Sequence, residues 1–162
     1  MTTDSSRTLQ YLTFELSREV FAMDIRCVRE IIQHGAMTVV PLMPNFVRGV
    51  INLRGAVVPV IDLQARFGRG LARVGNKTCI IVIDVSSNGE KMALGLMVDA
   101  VSEVIDIAST DIELPPQFGT SIQRDFIQGL GKVSGEFVVI LDTGRALNVD
   151  DMALIAEHSQ IR

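Results

Sequence analysis

Apolar and polar residues alternate with a period of two along much of this chain, the mark of strands with one face in a core. In LQYLTFEL, residues 9–16, Leu12, Phe14 and Leu16 share one face while Thr13 and Glu15 share the other. After the polar SRE, VFAMDI at 20–25 completes a predicted hairpin. Val28, Ile31 and Ile32 recur at helical spacing over too few residues for a stable free helix, so a single packed helical turn is expected there. TVVPLMP breaks the chain at Pro41 and Pro44, and GAVVPVIDL at 55–63 reads as a strand whose Pro59 calls for an edge or bulge position. The polar stretch FGRGLARVGNK, 67–77, reads as a loop. CIIVID, a turn at SSNGE, KMALGLMV and VSEVID follow, and a final GEFVVILD comes after Pro115 and Pro116. Short strands punctuated by Gly and Pro predict an all-β, barrel-type architecture rather than alternating βα units.

The chain also matches itself. Phe46, Gly49, Gly55 and Asp62 reappear 80 positions later as Phe126, Gly129, Gly135 and Asp142, and each copy ends in an apolar strand, VVPVI or FVVIL. A second echo sets CVREII at 27–32 against AVSEVI at 100–105, aligning Val28 with Val101 and Glu30 with Glu103. Two homologous lobes of about eighty residues follow, formed approximately by segments 9–75 and 77–150 of a single domain, 1–162. In this reading each glycine opens a turn, and each aspartate accepts backbone N–H bonds just past its strand.

Composition narrows the function. The 162 residues include no Trp and one Tyr, Tyr11, and the formal charge is −4, which disfavours a nucleic-acid partner and the stacking surfaces that base or sugar recognition uses. No apolar run approaches a membrane span, and MTTDSSRTLQ lacks a signal-type apolar core, so a cytoplasmic protein without membrane insertion is expected. Cys27 and Cys79 are isolated and read as buried thiols. His34 and His158 have no Cys, Asp or Glu at metal-site spacing, and no nucleophile elbow or phosphate-binding loop occurs; neither a metal nor another cofactor is expected, and no catalytic residue is assigned. Asp62 and Asp142 fall in different lobes and do not form an acid/base pair.

Charge placement is more informative. From Arg26 to Arg73 seven arginines (26, 29, 48, 54, 66, 69 and 73) face only Glu30 and Asp62, whereas Asp99 to Glu113 holds five acids and no base. An arginine-rich first lobe fits protein contact, since the guanidinium fork pairs with carboxylates; an ordinary solvated face would look the same.

GVINLRGAVVPVIDL, 49–63, with PLMPNFVR before it, resembles the CheW family, the scaffold proteins of bacterial chemotaxis. The similarity continues through FAMDIRCVREII (21–32), MALGLMVDAVSEVIDI (92–107) and IQGLGKVSGEFVVILD (127–142). The resemblance implies two intertwined five-stranded SH3-like barrels with short helical turns. It implies a non-catalytic adaptor, located at receptor arrays beneath the inner membrane, that couples the cytoplasmic tip of a chemoreceptor (a methyl-accepting chemotaxis protein) to the regulatory domain of the chemotaxis histidine kinase. Carried over residue by residue, receptor binding would centre on Arg54, with Asn52, Gly49, Glu30 and Val28. For Val28 core and interface roles are both open, and Glu30 could pair with Arg26, with Arg54 or with a receptor base. Kinase docking would use barrel-end apolar residues of the second lobe. A CheW-like adaptor of a non-flagellar chemosensory pathway, such as twitching motility, would share this fold and mechanism. A small-molecule-binding barrel would instead need an apolar pocket with converging polar groups.

Overall fold

The computed structural model describes residues 7–87, 89–114 and 126–147. The first period-two segments become β1 (Thr8–Leu16) and β2 (Glu19–Asp24), joined by Ser17 and Arg18, both at positive φ (50° and 70°), the left-handed pair that a two-residue hairpin needs. A 3-10 turn at Ile25–Cys27, capped by the Asp24 side chain, leads into β3 (Val28–Gln33). β4 (Val47–Leu53) and β5 (Ala56–Asp62) form a second tight hairpin, followed by the single-turn helix α1 (Leu63–Arg66). Then come β6 (Cys79–Ser87), β7 (Glu90–Val98), β8 (Ala100–Ala108), the two-residue β9 (Ile112–Glu113), β10 (Ile127–Val133), β11 (Glu136–Leu141) and the helical turn α2 (Thr143–Ala146). The expected Pro115 and Pro116 break and His158 lie outside the described residues.

The strands form two sheets on one plan, in the orders β3-β6-β7-β5-β4 and β8-β1-β2-β11-β10-β9. Each has a central antiparallel hairpin, β6-β7 or β1-β2, with an antiparallel strand on one side, β3 or β8. On the other side lies a parallel strand, β5 or β11, which is one arm of a hairpin with β4 or β10. Two-residue β9 extends the second sheet; its place in the first is taken by the bridge between Thr38 and Val50. The first lobe is inserted within the second along the chain: β3 to β7 fall between β2 and β8, and the β1-β2 hairpin pairs with strands after residue 99.

Repeat-related residues occupy matching places. Gly55 and Gly135 follow Arg54 and Ser134 in the two hairpin turns, all four at positive φ. Asp62 and Asp142 cap α1 and α2 through their side chains, and their backbone N–H groups donate to the carbonyls of Phe46 and Phe126. Gly49 and Gly129 are not in turns. Each lies inside a strand at a register shift, opposite Val60 or Ile140. A Cβ on Gly49 would sit 2.5 Å from the Thr38 carbonyl oxygen, and one on Gly129 would sit 2.7 Å from Ile112 and 2.9 Å from the Glu113 oxygen. Glycine is required here by a third backbone pressing on the strand, not by a bend in it.

One further local expectation is corrected, and the edge position expected for Pro59 is found in a local form. Residues 28–32 form a strand, not a helical turn: a bulge between Val28 and Glu30 shifts the phase, so that Val28 packs toward one core and Ile32 toward another. Pro59 lies in a strand with neighbours on both sides, but pairing of β5 with β7 begins only at Val60, so up to Pro59 the ladder has β4 alone beside it.

Three apolar clusters result. Tyr11, Ala22, Ile107, Val138 and Ile140 fill the second lobe, and Val60, Ile80, Val82 and Met97 fill the first. The largest cluster takes side chains from both sheets and both helical turns, including Leu12, Phe14, Phe21, Phe46, Ile81, Leu96 and Phe126. Within it the rings of Phe14, Phe21, Phe67 and Phe126 follow one another at centroid spacings of 5.9–6.1 Å. Arg66 crosses between the lobes: its guanidinium lies over the repeat-related rings Phe46 (5.4 Å) and Phe126 (4.7 Å), and Nε donates to the Ala146 carbonyl at 2.9 Å.

Beside this core Asp62 is fully buried, accepting from Arg48 NH1 at 2.7 Å and from the backbone N–H groups of Ala65 and Ala72. Arg48→Ala leaves that carboxylate buried without its cation and should cost about 3 kcal/mol in urea unfolding; a loss below about 1 kcal/mol would show that the backbone donors suffice. Gly49→Ala should lower stability by about 1–3 kcal/mol with cooperative unfolding retained. Gly144→Ala, where a Cβ meets nothing closer than 3.5 Å, should be neutral or slightly stabilising. Equal effects at the two glycines would remove close approach as the reason for Gly49.

Candidate protein-docking site

The β4-β5 hairpin closes in two residues, which forces both into the left-handed region: Arg54 at φ 53° and Gly55 at φ 87°. Asn52 braces the turn, its Oδ1 accepting from the Gly55 N–H at 2.9 Å. The turn thereby lifts the Arg54 side chain off the strand ends. Arg54 NH1 donates to Glu30 Oε2 at 2.7 Å and NH2 to Oε1 at 2.9 Å, a two-pronged fork. Glu30 belongs to β3 and Arg54 follows directly on β4, the two edges of the sheet order, so the fork spans edges that the curled sheet brings together. Hydrogen bonding to the guanidinium holds the Glu30 carboxyl below its usual range and raises the Arg54 pKa.

The pair is open to solvent, with 69% of the Arg54 side chain and 23% of the Glu30 side chain exposed. Val57, across the hairpin from Asn52, is 70% exposed and adds apolar surface beside the turn. Arg54, Asn52 and Glu30 therefore come together at one surface. Of the two intrachain partners open to Glu30, Arg54 is the one it takes; Arg26 forks with Asp24 instead, which lowers the Asp24 pKa. Val28 packs partly buried against the core between the lobes, and Gly49 is buried under Thr38. Sequence reasoning passed over Val57, although its place two residues before Pro59 puts it on the face of β5 away from the core.

The arginine-rich segment is not a free cationic patch. Arg29 pairs with Asp84, Arg48 with Asp62 and Arg69 with Glu19, while Arg66 is spent on aromatic rings and a carbonyl. Counting charges along the chain finds these arginines but not the carboxylates that folding delivers to them. In the acidic segment Glu103, Asp106, Asp111 and Glu113 are exposed. Among the described residues no group of His, Cys, Asp and Glu could hold a metal ion, and no helix is long and apolar enough to cross a membrane. Cys27 and Cys79 are free; Cys27 Sγ lies 3.5 Å from Thr143 Oγ1.

Residues 10–151 match the family model described as CheW-like domain. "Chemotaxis protein CheW" of Klebsiella aerogenes is 31% identical over 146 residues, covering 90% of this chain and 86% of that protein. The protein of the same name from Rhizobium meliloti is 34% identical over 133 residues, covering 82% and 83%. Among solved structures, the scaffolding protein TtCheW from Thermoanaerobacter tengcongensis superposes with a TM-score of 0.74 at 37% sequence identity, covering 84% of this chain and 85% of that one.

The fork has a definite pH signature. The folded Glu30 pKa is depressed, so the pair's contribution to stability is complete above the ordinary value of 4.5 and is lost as pH falls through the lower folded value. Carboxyl NMR should show Glu30 titrating below 4.5, returning toward it in Arg54→Ala, with the stability gap between the two proteins closing in acid. Identical Glu30 titration in both proteins would mean that the fork does not persist in solution.

Proposed function

The chain belongs to the CheW family, and from that premise we propose that it is a non-catalytic adaptor joining the cytoplasmic tip of a chemoreceptor to the regulatory domain of the chemotaxis histidine kinase. The observation that carries this reading is the exposed Arg54–Glu30 fork on its braced turn. A guanidinium has five N–H donors, and the fork uses two, so three remain for carbonyl or carboxylate groups of a partner. Because Glu30 already orients the side chain, Arg54 loses little rotamer freedom on binding, the cost that penalises most exposed arginines at an interface. Val57 supplies apolar contact next to the charge. Gly49 and Val28 act from beneath, shaping the strands that hold the turn and β3. Signal passes between partners through the bound adaptor as a coupling free energy, and no substrate is consumed.

The test is binding of the full chain to a cytoplasmic chemoreceptor signalling fragment at fixed ionic strength, since exposed charge contacts are screened by salt. Arg54→Ala should unfold as cooperatively as the parent protein and bind about tenfold or more weakly. Arg54→Lys, which keeps the charge and loses the fork, should fall between them. Undiminished binding by Arg54→Ala would remove the turn from the receptor contact, and absence of binding by the parent protein would remove the adaptor reading.

A further inference from the structure

The second lobe repeats the frame of the Arg54–Glu30 site without its arginine. The β3 bulge that presents Glu30 recurs in β8, where pairing with β1 shifts between Leu12 and Phe14, and Glu103 stands in Glu30's place. Thr13 Oγ1 fixes that bulge by donating to the Glu103 carbonyl (2.9 Å), with 3.1 Å between it and the Glu103 N–H. The turn that carries Arg54 recurs as Ser134 and Gly135, at φ 52° and 82°. Serine thus occupies the arginine position, 80 residues on, and its side chain is too short to reach a carboxylate across the lobe. Glu103 makes no ion pair among the described residues.

Where the first lobe has its fork, the second has a groove of about 510 Å³, lined by apolar Val20, Ile105, Val133 and Phe137 together with Glu103 and Ser134. That volume falls in the range of ligand-sized sites, and Val20 and Phe137 are 39% and 53% exposed along it. Of the charged groups in its lining, Glu19 is already paired with Arg69, which leaves Glu103 and Glu136 against Arg18, an acidic excess.

We propose that this groove docks a protein segment presenting an arginine between apolar side chains, whose guanidinium forks on Glu103 as Arg54 forks on Glu30. Charge complementarity selects a cation and the apolar lining selects its neighbours. The fork geometry, demonstrated once in the other lobe, selects arginine over lysine, and a planar guanidinium can also stack on Phe137.

The experiment titrates the isotope-labelled full chain with a blocked Leu-Arg-Leu peptide and follows backbone amides by NMR. Saturable shifts confined to groove residues are expected, with binding about tenfold weaker for the Leu-Lys-Leu peptide and for Glu103→Gln. Ser134→Arg should supply the missing fork from within and abolish the shifts while leaving amides elsewhere unchanged. No saturable shift at millimolar peptide, shifts centred elsewhere, or equal binding by Glu103→Gln would overturn the proposal. Groove shifts that follow protein concentration without peptide would make the occupant a second copy of the chain, and would overturn it as well.

Discussion

The apolar layer between the two sheets is the constraint on which everything else rests. Each lobe's own interior holds only four or five fully buried apolar side chains, too few to stabilise a small barrel alone, whereas the shared cluster holds twenty among the described residues. Both sheets and both helical turns face it, and the row of four phenylalanine rings runs through it. Arg66 closes the layer over one ring from each repeat. Its repeat mate is Ala146, whose carbonyl it binds. A cation held over two aromatic faces is worth about 1–2 kcal/mol when partly desolvated.

Two copies of one plan share their backbone frame and differ most visibly where their side chains meet solvent. The bulges, the left-handed turns and the capping aspartates recur, because each is fixed by backbone geometry that the shared core demands. Arg54 and Ser134, or Val57 and Phe137, sit on equivalent backbone and face outward, free to differ. One surface is therefore charged and pre-ordered, and the other is concave and apolar.

Much of this was legible from residue pattern, and the misses share a cause. Strands with clean alternation, such as 9–16 and 79–83, were readable because a half-buried face imposes period two. β3 was misread because its bulge at Arg29 breaks that period, so Val28 and Ile32 mimic helical spacing. β4 and β10 were overlooked because Gly49 and Gly129 look like punctuation, although each makes room for a neighbouring backbone that local sequence does not reveal. At the site, the residue types and the importance of the turn were readable, yet the partner of Glu30 and the inward positions of Val28 and Gly49 depend on how the sheet curls. The pairing of the arginines was hidden for the same reason: Asp84 and Glu19 reach Arg29 and Arg69 only across long stretches of chain.

The crossed membership of β1 and β2 also shapes how the molecule must come into being. The five strands of the first sheet are complete once residue 98 has been made, but the N-terminal hairpin needs β8 and β11, the last of which ends at Leu141. At about 5–20 residues per second on the ribosome, Phe14 and Phe21 wait for seconds beside a half-built partner. The second lobe cannot be cut out as a contiguous piece of chain, because the whole first sheet, 28–98, is inserted between its two parts, and the earliest-made apolar residues are among the last to find their sheet. Vectorial synthesis therefore opens a window of exposed hairpin, and the high sequence separation of its pairings sets a slow step in folding.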